Sequence, residues 1–377
     1  MTGWNVGRER CRAKQFARRQ AAPSVRRFGV TLIELLIVIT IATLLLAAAI
    51  PLMKTAIDES KLREASRQIN VFFAAARARA VEKGRAVGVM IERSDGSTNA
   101  AFVLNIVETP PPYGGDTLNA RALLGTISAN PLRVVFDNSS LSLPALVQKG
   151  DVIKFDYKGP VYRIYDVSSL GNVPPWIDVE VGSPPLPASP AAGLPYQVIR
   201  QPEKSSASPL QLTGNVAIDL EYSGMGVLGN QFNANIGAAI RSNPVVIAFN
   251  SSGAIDHVKP NGAFDSSGNA KYEAGTPAGT IHLLIGRIDQ VGIDVANSPQ
   301  TPNPIRPNAS AATATKTYRQ NIADVRNFWI SIGARTGSIT SSENAWLLSP
   351  PGATPNYVDS LRASREFAHS AQTIGGR

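Results

Sequence analysis

Cysteine is almost absent from this sequence. The one cysteine among 377 residues is Cys11, which lies in the basic N-terminal segment 1–29. A single cysteine cannot form a disulfide within the chain, so the fold must be held by its hydrophobic core. Histidine is also scarce, and His257, His282 and His369 lack the spacing of zinc ligands. The sequence therefore indicates no metal site of these types, and it contains no zinc-protease helix or GxSxG nucleophile motif.

Charged residues are sparse as well, at 17% of the chain, and they are unevenly distributed. The formal net charge is +9, but the first 29 residues hold eight of the 37 lysines and arginines and only one acid, Glu9. Without that segment 29 basic and 27 acidic residues remain, a net charge of +2. The positive excess is therefore local, as on the cytoplasmic flank of a membrane segment. It does not indicate a nucleic-acid-binding surface.

An apolar run, Val30–Met53, follows the basic segment directly. It holds 24 residues, of which only Glu34 is charged. A helix of this length spans roughly 30 Å of hydrocarbon, so the run predicts a single membrane crossing with a cytoplasmic N-terminus. Pro51 near its end removes a backbone donor and can kink the helix. An ionisable group inside a membrane span is a functional-site hypothesis by default, which singles out Glu34.

Two ordinary interpretations of this run remain open. One interpretation is a secretory signal with Ala47-Ala48-Ala49 as its small-residue cleavage site, and the other is a plain signal anchor. Neither of them requires a carboxylate five residues beyond a glycine, as Glu34 lies beyond Gly29.

The stretch Arg26-Arg27-Phe28-Gly29-Val30-Thr31-Leu32-Ile33-Glu34 resembles the class III signal of type IV pilins and type II secretion pseudopilins. The resemblance implies that a prepilin peptidase cuts after Gly29 and methylates the new N-terminus, Val30. It also implies that Glu34 pairs with the Val30 amine of a neighbouring subunit in a fibre. Val30 stands where the family usually has phenylalanine, and Pro51 matches a proline common in pilin-like helices.

A second helical pattern continues over 54–83, and Gly84 is placed to end it. Small and apolar residues recur there at steps of three and four, which gives one apolar face: Leu62, Ala65, Ile69, Phe72, Ala76 and Ala80. A coiled-coil or linker helix is the alternative. The passage Phe72–Val87 resembles the helix-to-strand transition of the GspH/FimT branch of minor pseudopilins, as do Val245–Gly253 and Trp329–Ile339.

The chain beyond residue 86 is typical of β-structure, with strands separated by short polar turns. We predict four hairpins, whose strands are Val87–Arg93 with Ala101–Glu108, Asp151–Tyr157 with Val161–Val167, Pro244–Phe249 with Ala254–Val258, and Phe328–Ile332 with Gly337–Thr340. Further strands are expected at Trp176–Val181, Tyr196–Arg200, Val216–Tyr222 and Thr280–Gly286. Three proline-rich stretches are expected to be surface insertions or linkers: Thr109–Tyr113, Val173–Pro195 and Ser298–Pro307.

The expected fold is therefore α+β and pilin-like. A long N-terminal helix, membrane-spanning in its first half, packs on a mainly antiparallel β-sheet head with proline-rich insertions. The expected segments are a cleaved basic leader (1–29), the transmembrane half-helix (30–53), the periplasmic half-helix (54–84), the head (85–345) and a C-terminal tail (346–377). A short helix is expected in the tail at Val358–Gln372, with Leu361 and Phe367 as its main apolar residues.

Several features suggest other chemistry, and each has a simpler explanation. Gly224–Gly229 fits a dinucleotide fingerprint, but no βαβ unit surrounds it, so a loop is favoured. Asp265–Asn269 offers oxygens to a hard cation but matches an ordinary polar turn. His257 beside Asp256 is expected to be a surface pair. Three C-terminal arginines could contact phosphates: Arg362, Arg365 and Arg377.

The sequence thus predicts a structural subunit and no enzyme, cofactor or metal. Its expected role is that of a minor pseudopilin in a type II secretion pseudopilus or a type IV pilus-like fibre. Its expected partners are prepilin peptidase, other pilins or pseudopilins, the inner membrane and secreted proteins, with the head in the periplasm. The alternative is a DNA-binding minor pilin for DNA uptake, and an enzymatic head is a third possibility.

Overall fold

The structure is a computed structural model, and it describes most but not all of the chain. The described residues are 31–95, 99–125, 131–137, 142–180, 186–188, 190–229, 231–234, 243–260, 263–264, 270–271, 277, 279–291, 305–306, 318–319, 321–345 and 357–374. Only the backbone is described at 48–55, 263–264, 270–271, 305–306, 318–319, 357–360 and 371–374.

The fold is α+β, with an N-terminal helix and a mostly antiparallel β-domain. Helix α1 (Leu32–Lys83) is 52 residues long and passes through Pro51. Its end is as the sequence predicts, because Gly84 follows with a φ of +63°, a conformation that glycine adopts at little cost. By its contacts the chain divides into two compact units, Met1–Lys54 and Thr55–Arg377.

Within the second unit, α1 buries one stripe of small and apolar side chains. The buried positions recur at steps of three and four, and they are Leu62, Ala65, Ile69, Phe73, Ala76 and Ala80. The sequence pattern assigned Phe72 to this face, and Phe72 does pack against the core while partly buried; the fully buried residue is its neighbour Phe73, which the pattern missed. Phe73 completes the stripe because it lies four residues after Ile69 and three before Ala76.

Two antiparallel sheets, here called the head sheets, share one core with this stripe. The first has the order β10-β3-β1-β13-β14, with β11 also on β3. Its strands are β1 (Val87–Glu92), β3 (Val103–Glu108), β10 (Glu203–Lys204), β11 (Leu210–Gln211), β13 (Val245–Phe249) and β14 (Ile255–Lys259). The second has the order β2-β12-β17-β20-β21. Its strands are β2 (Ala100–Ala101), β12 (Val216–Met225), β17 (Ile281–Arg287), β20 (Phe328–Ile332) and β21 (Ile339–Glu343).

All four predicted hairpin pairings are confirmed: β1 with β3, β6 with β7, β13 with β14, and β20 with β21. Of these strands, β6 (Val152–Phe155) and β7 (Val161–Asp166) belong to a third sheet. Two further pairs of short strands stand apart from these sheets: β15 (Ala263–Phe264) with β16 (Ala270–Lys271), and β18 (Ile305–Arg306) with β19 (Tyr318–Arg319). Two short 3-10 turns cover Ile288–Gln290 and Asn321–Ala323.

The third sheet is an insertion between β3 and β10. Glu108 at the end of β3 lies opposite Glu203 at the start of β10, so the chain leaves and rejoins the first head sheet at one point. The inserted strands are β4 (Ala122–Leu124), β5 (Leu132–Phe136), β6, β7, β8 (Trp176–Val179) and β9 (Tyr196–Ile199), with the short helix α2 (Leu143–Leu146). They pair in the order β4-β5-β8-β7-β6-β9. Ala122 and Leu194 then exchange backbone hydrogen bonds of 2.8 and 2.9 Å, which closes the sheet into what we call the inserted cylinder.

The inserted cylinder has a hydrophobic core of its own. Its largest members are Phe136, Phe155, Tyr162 and Tyr196. The expectation that Val173–Pro195 is a linker or surface insertion is therefore wrong in part, because this stretch supplies β8 and Leu194 to the cylinder. The strands β4 and β5 were not predicted.

One arginine of α1 joins the two head sheets. The Arg77 Nε donates a 3.0 Å hydrogen bond to the carbonyl oxygen of Gly253, in the β13–β14 turn. Gly337, in the β20–β21 turn, lies against the same carbonyl with a φ of +60°, and a Cβ added there would collide with it. The three sequence pieces that resemble the GspH/FimT branch therefore meet at one place, which fixes both turns to the helix.

The predicted C-terminal helix is confirmed as α3 (Tyr357–Ile374), and it covers the second head sheet on the face opposite α1. Neighbouring residues of β17 and β20 point to opposite faces, so Leu283 and Ile330 join the α1 core while Leu284 and Trp329 meet α3. In α3 the buried apolar residues are Leu361 and Ala368, whereas Phe367 is 50% exposed.

Arg365 attaches α3 to the glycine-rich loop after β12. Its side chain is fully buried, and its Nη atoms donate hydrogen bonds of 2.6–2.8 Å to the carbonyl oxygens of Tyr222, Gly226 and Gly229. A buried cation is costly unless it is hydrogen-bonded in this way. The stretch that resembles a dinucleotide fingerprint thus serves as a receptor for a side chain of the same protein.

We expect Arg77→Leu to lower the free energy of unfolding by about 1–3 kcal/mol, because it leaves the Gly253 carbonyl oxygen without its donor. Urea unfolding of the full chain in detergent, followed by circular dichroism, measures this difference. The matched control is Arg67→Leu, since Arg67 is exposed on the same helix and should change stability by less than about 0.5 kcal/mol. Equal effects of the two substitutions would contradict the role of Arg77.

We expect Arg365→Met to release α3, because three carbonyl oxygens lose charged donors that contribute about 1.5–3 kcal/mol each. Hydrogen exchange with mass spectrometry should show faster exchange across residues 357–374. Arg362→Met changes an exposed arginine of the same helix and should leave protection unaltered. Full protection of α3 in Arg365→Met would show that apolar packing alone holds the helix.

Candidate processing and assembly segment

The start of α1 is fixed by a side chain of the predicted processing motif. Thr31 immediately precedes the helix, and its Oγ1 accepts a 3.3 Å hydrogen bond from the backbone N–H of Glu34. Its carbonyl oxygen accepts the first helical bond, 3.1 Å from the N–H of Leu35. Thr31 and Glu34 have the spacing of a capping box. The helix therefore begins two residues after the predicted cleavage position, and Gly29 and Val30 themselves lie outside the described residues.

The first part of α1 presents apolar side chains on every side. All residues from 31 to 47 are exposed, and the exposed fraction of the large apolar ones ranges from 50% for Ile37 to 81% for Leu32. A helix that is hydrophobic all round is stable only in a protein core, in a membrane or against other helices. An apolar environment would therefore stabilise this segment.

The polar groups of this segment are compatible with such an environment. The hydroxyls of Thr40 and Thr43 donate hydrogen bonds of 2.8 and 2.9 Å to the carbonyl oxygens of Ile37 and Thr40. Bonds of this kind satisfy a hydroxyl within its own helix. Glu34 is then the one ionisable residue in the sequence between 31 and 47.

Within the described residues, no helix combines the length and apolarity that a membrane crossing requires.

The three histidines do not meet. The ring of His282 is buried between β17 and β20, with its Nδ1 3.0 Å from the Ser331 hydroxyl, and burial lowers its pKa to about 3. His257 pairs with Asp256 at 2.8 Å, as expected. His369 lies on α3, 3.4 Å from the Thr280 hydroxyl. No group of three potential metal-ligating side chains occurs among the described residues.

The other suggested sites are structural or lie outside the description. Arg365 lies on α3 with its side chain buried against β12 and the loop after it, so the suggestion that it could contact phosphates is wrong for this residue. Arg362 is exposed. Asp265–Asn269 and Arg377 are outside the described residues.

A buried carboxylate that the sequence did not single out lies in β12. Asp219 accepts hydrogen bonds from the Asn321 side chain at 2.9 Å and from the Glu221 N–H at 3.1 Å. Burial raises its pKa well above the usual range, and the nearby charge of Glu221 adds to the rise. Asn321 also donates to the carbonyl oxygen of Arg287, and Asn327 donates to Asn321. This network links β12 to the ends of β17 and β20 by hydrogen bonds between buried groups, and of its atoms the Asn327 Oδ1 has no hydrogen-bond partner.

Comparison with known proteins identifies the N-terminal segment. Residues 25–50 match the family model of the prokaryotic N-terminal methylation motif, and the match includes Gly29, Val30 and Glu34. Neither the curated proteins nor the solved structures gave a match to this chain. The motif supports a type IV pilin-like protein, which implies processing by prepilin peptidase and assembly with other pilins.

Proposed function

We propose that this chain is a minor pseudopilin or pilin-like subunit of the GspH/FimT kind, which joins a type II secretion pseudopilus or a type IV pilus-like fibre. The observation that carries the proposal is the methylation motif at 25–50, which coincides with an apolar helix exposed on all sides. Such a helix is suited to a subunit that is first held in a membrane and then packed among its relatives.

The first step is processing. Prepilin peptidase cuts between Gly29 and Val30 and methylates the new Val30 amine. The Thr31 cap supports this step, because the helix begins at Leu32, after the proposed cleavage position in the sequence. The removed leader carries most of the positive excess of the chain, so the remaining protein is close to neutral.

The second step is retention in the inner membrane. Val30–Met53 is the proposed single crossing, with the leader on the cytoplasmic side and the head in the periplasm. The sequence supports this crossing because the 24 residues include only one charged side chain. The hydrogen bonds of Thr40 and Thr43 also support it, because they satisfy both hydroxyls within the helix.

The third step is assembly. The Glu34 carboxylate of one subunit pairs with the Val30 amine of a neighbour and so fixes their axial register. Two unit charges about 4 Å apart attract by about 1 kcal/mol in bulk water but by about 4 kcal/mol at an effective dielectric constant near 20. An unpaired carboxylate in that environment is penalised, so the pairing discriminates between registers. The head then contacts sister pseudopilins or secreted proteins.

The alternative of a DNA-binding minor pilin rested on the C-terminal arginines. Of these, Arg365 is engaged inside the protein, and acidic Asp359 and Glu366 lie on the same helix as Arg362. No specific observation favours this alternative over the structural role.

We expect the processed protein to begin with N-methylated Val30, because the motif places the cut after Gly29. Mass spectrometry of the protein purified from its native membrane measures this end directly, and cells lacking prepilin peptidase provide the control. A first residue of Ile50 would instead support an ordinary secretory signal, and an intact Met1 would remove the proposal.

We expect Glu34→Ala to be cut normally but to fail in assembly, since it removes the carboxylate and not the scissile bond. Cross-linking of the membrane fraction to sister pilins measures assembly, and the N-terminal residue measures processing in the same sample. Glu59→Ala is the matched control, because Glu59 is an exposed acid further along α1. Unchanged cross-linking in Glu34→Ala would reject the register role.

A further inference from the structure

The inserted cylinder has an apolar cleft at the end where β6 passes into β7. The cleft encloses about 220 Å³, and its apolar lining includes Phe155, Pro160, Tyr162 and Pro187. The Phe155 and Tyr162 rings lie 5.7 Å apart and tilted by 42°, and both are almost fully buried. The cleft is thus a depression lined by aromatic rings and prolines at one end of the sheet.

The rim of the cleft is held in an unusual backbone conformation. Asp156 and Tyr157 have φ values of 54° and 53°, and the N–H of Lys158 closes the turn on the carbonyl oxygen of Phe155 at 3.3 Å. Two consecutive non-glycine residues in this region cost of order 1–3 kcal/mol each. The turn also leaves Tyr157 and Val161 about half exposed, at 54% and 50%. Apolar surface is therefore displayed at the mouth of the cleft.

The same chain displays a segment that suits this cleft. Pro110-Pro111-Pro112 connects β3 to the cylinder, and Pro111 and Pro112 are exposed. The segment is fixed at both ends: the Thr109 N–H donates to the Ala86 carbonyl oxygen at 3.0 Å, and Tyr113 exchanges two backbone hydrogen bonds with Val198. Consecutive prolines favour the polyproline II conformation, so little ordering entropy remains to be lost on binding.

A chain cannot place this segment in its own cleft. Along the paired strands β6 and β9, Phe155 lies opposite Tyr196 and Val152 lies opposite Ile199. The cleft is at the Phe155 end, whereas the backbone bonds of Tyr113 hold the prolines toward the Ile199 end. Each copy therefore offers a cleft on one part of its cylinder and a preformed ligand on another.

We propose that the cleft binds the Pro110–Pro112 segment of a second copy of this chain. Grooves lined by aromatic rings and prolines recognise polyproline II segments by their shape. Lys158 lines the cleft beside Asp156 and can meet the exposed Asp116 carboxylate that follows the prolines. In its own chain, Asp116 also accepts hydrogen bonds from the Tyr113 hydroxyl and the Ser142 N–H, each at 2.9 Å. The contact is heterologous, because the cleft of one copy meets the proline segment of the other. It goes beyond the helix contacts proposed above and is tested without them.

The test uses the full chain in detergent and a fluorescent synthetic peptide with the sequence of residues 107–116. We expect saturable binding by fluorescence anisotropy, and at least a tenfold loss when Pro111 and Pro112 of the peptide are replaced by alanine. Pro160→Glu in the protein should cause a similar loss, because it places a charge in the apolar lining. Val173→Glu is the control, since Val173 is 86% exposed in another loop.

An exchange of charges tests the orientation of the peptide in the cleft. It leaves the apolar lining of the cleft unchanged. Lys158→Glu should weaken the native peptide, and a peptide with lysine in place of Asp116 should recover the affinity. Equal binding of a proline-free peptide, displacement of the peptide by an oligosaccharide, or no binding at all would each overturn the proposal.

A cross-link locates the contact between whole subunits. In a Cys11→Ser background, chains with Pro112→Cys and chains with Pro160→Cys are mixed and oxidised. We expect a disulfide-linked dimer only in the mixture. If it fails to form while Val30 is still methylated and the subunit still cross-links to sister pilins, this inference falls and the proposed function stands.

Discussion

The packing of one helical stripe against two sheets is the constraint on which the head depends. From Leu62 to Ala80, α1 supplies the side chains around which both head sheets close. Its alanines allow the strands to approach, while Phe73 meets Phe249 edge to face at 6.5 Å. Arg77 adds a directional contact at the point where the β13–β14 and β20–β21 turns touch. The helix therefore sets both the core and the relative position of the two sheets.

Buried polar groups give the head much of its specificity. Arg365, Asp219 and His282 would each attract a functional interpretation from residue type alone. In the fold, Arg365 holds α3, Asp219 joins a network with Asn321, and the His282 ring pairs with a serine hydroxyl. Each makes hydrogen bonds to protein groups, which lowers the cost of burying a polar group, although the Arg365 Nε has no hydrogen-bond partner.

The inserted cylinder accounts for a head larger than a compact pilin-like one. Its two ends meet where Glu108 pairs with Glu203, so the strands before and after the insertion still pair with each other in the first head sheet. Its core does not share members with the core around α1. An element with its own core and adjacent ends can carry a binding surface without altering α1 or the head sheets. The cleft and the exposed prolines lie on this added part.

The sequence alone determined the features that depend on local pattern. These are the motif from Gly29 to Glu34, the end of α1 before Gly84, the strands of four hairpins and the C-terminal helix, since each follows from hydrophobic period, turn residues or a short signature. Tertiary structure alone decided what depends on contacts between distant residues. The closure of the cylinder through Ala122 and Leu194 joins short strands that lack a strong signal of their own. The full burial of Phe73 beside the partly buried Phe72, and the burial of the α3 residue Arg365 against β12 and its loop, likewise depend on which neighbours the completed sheets bring near, and no local pattern contains that information.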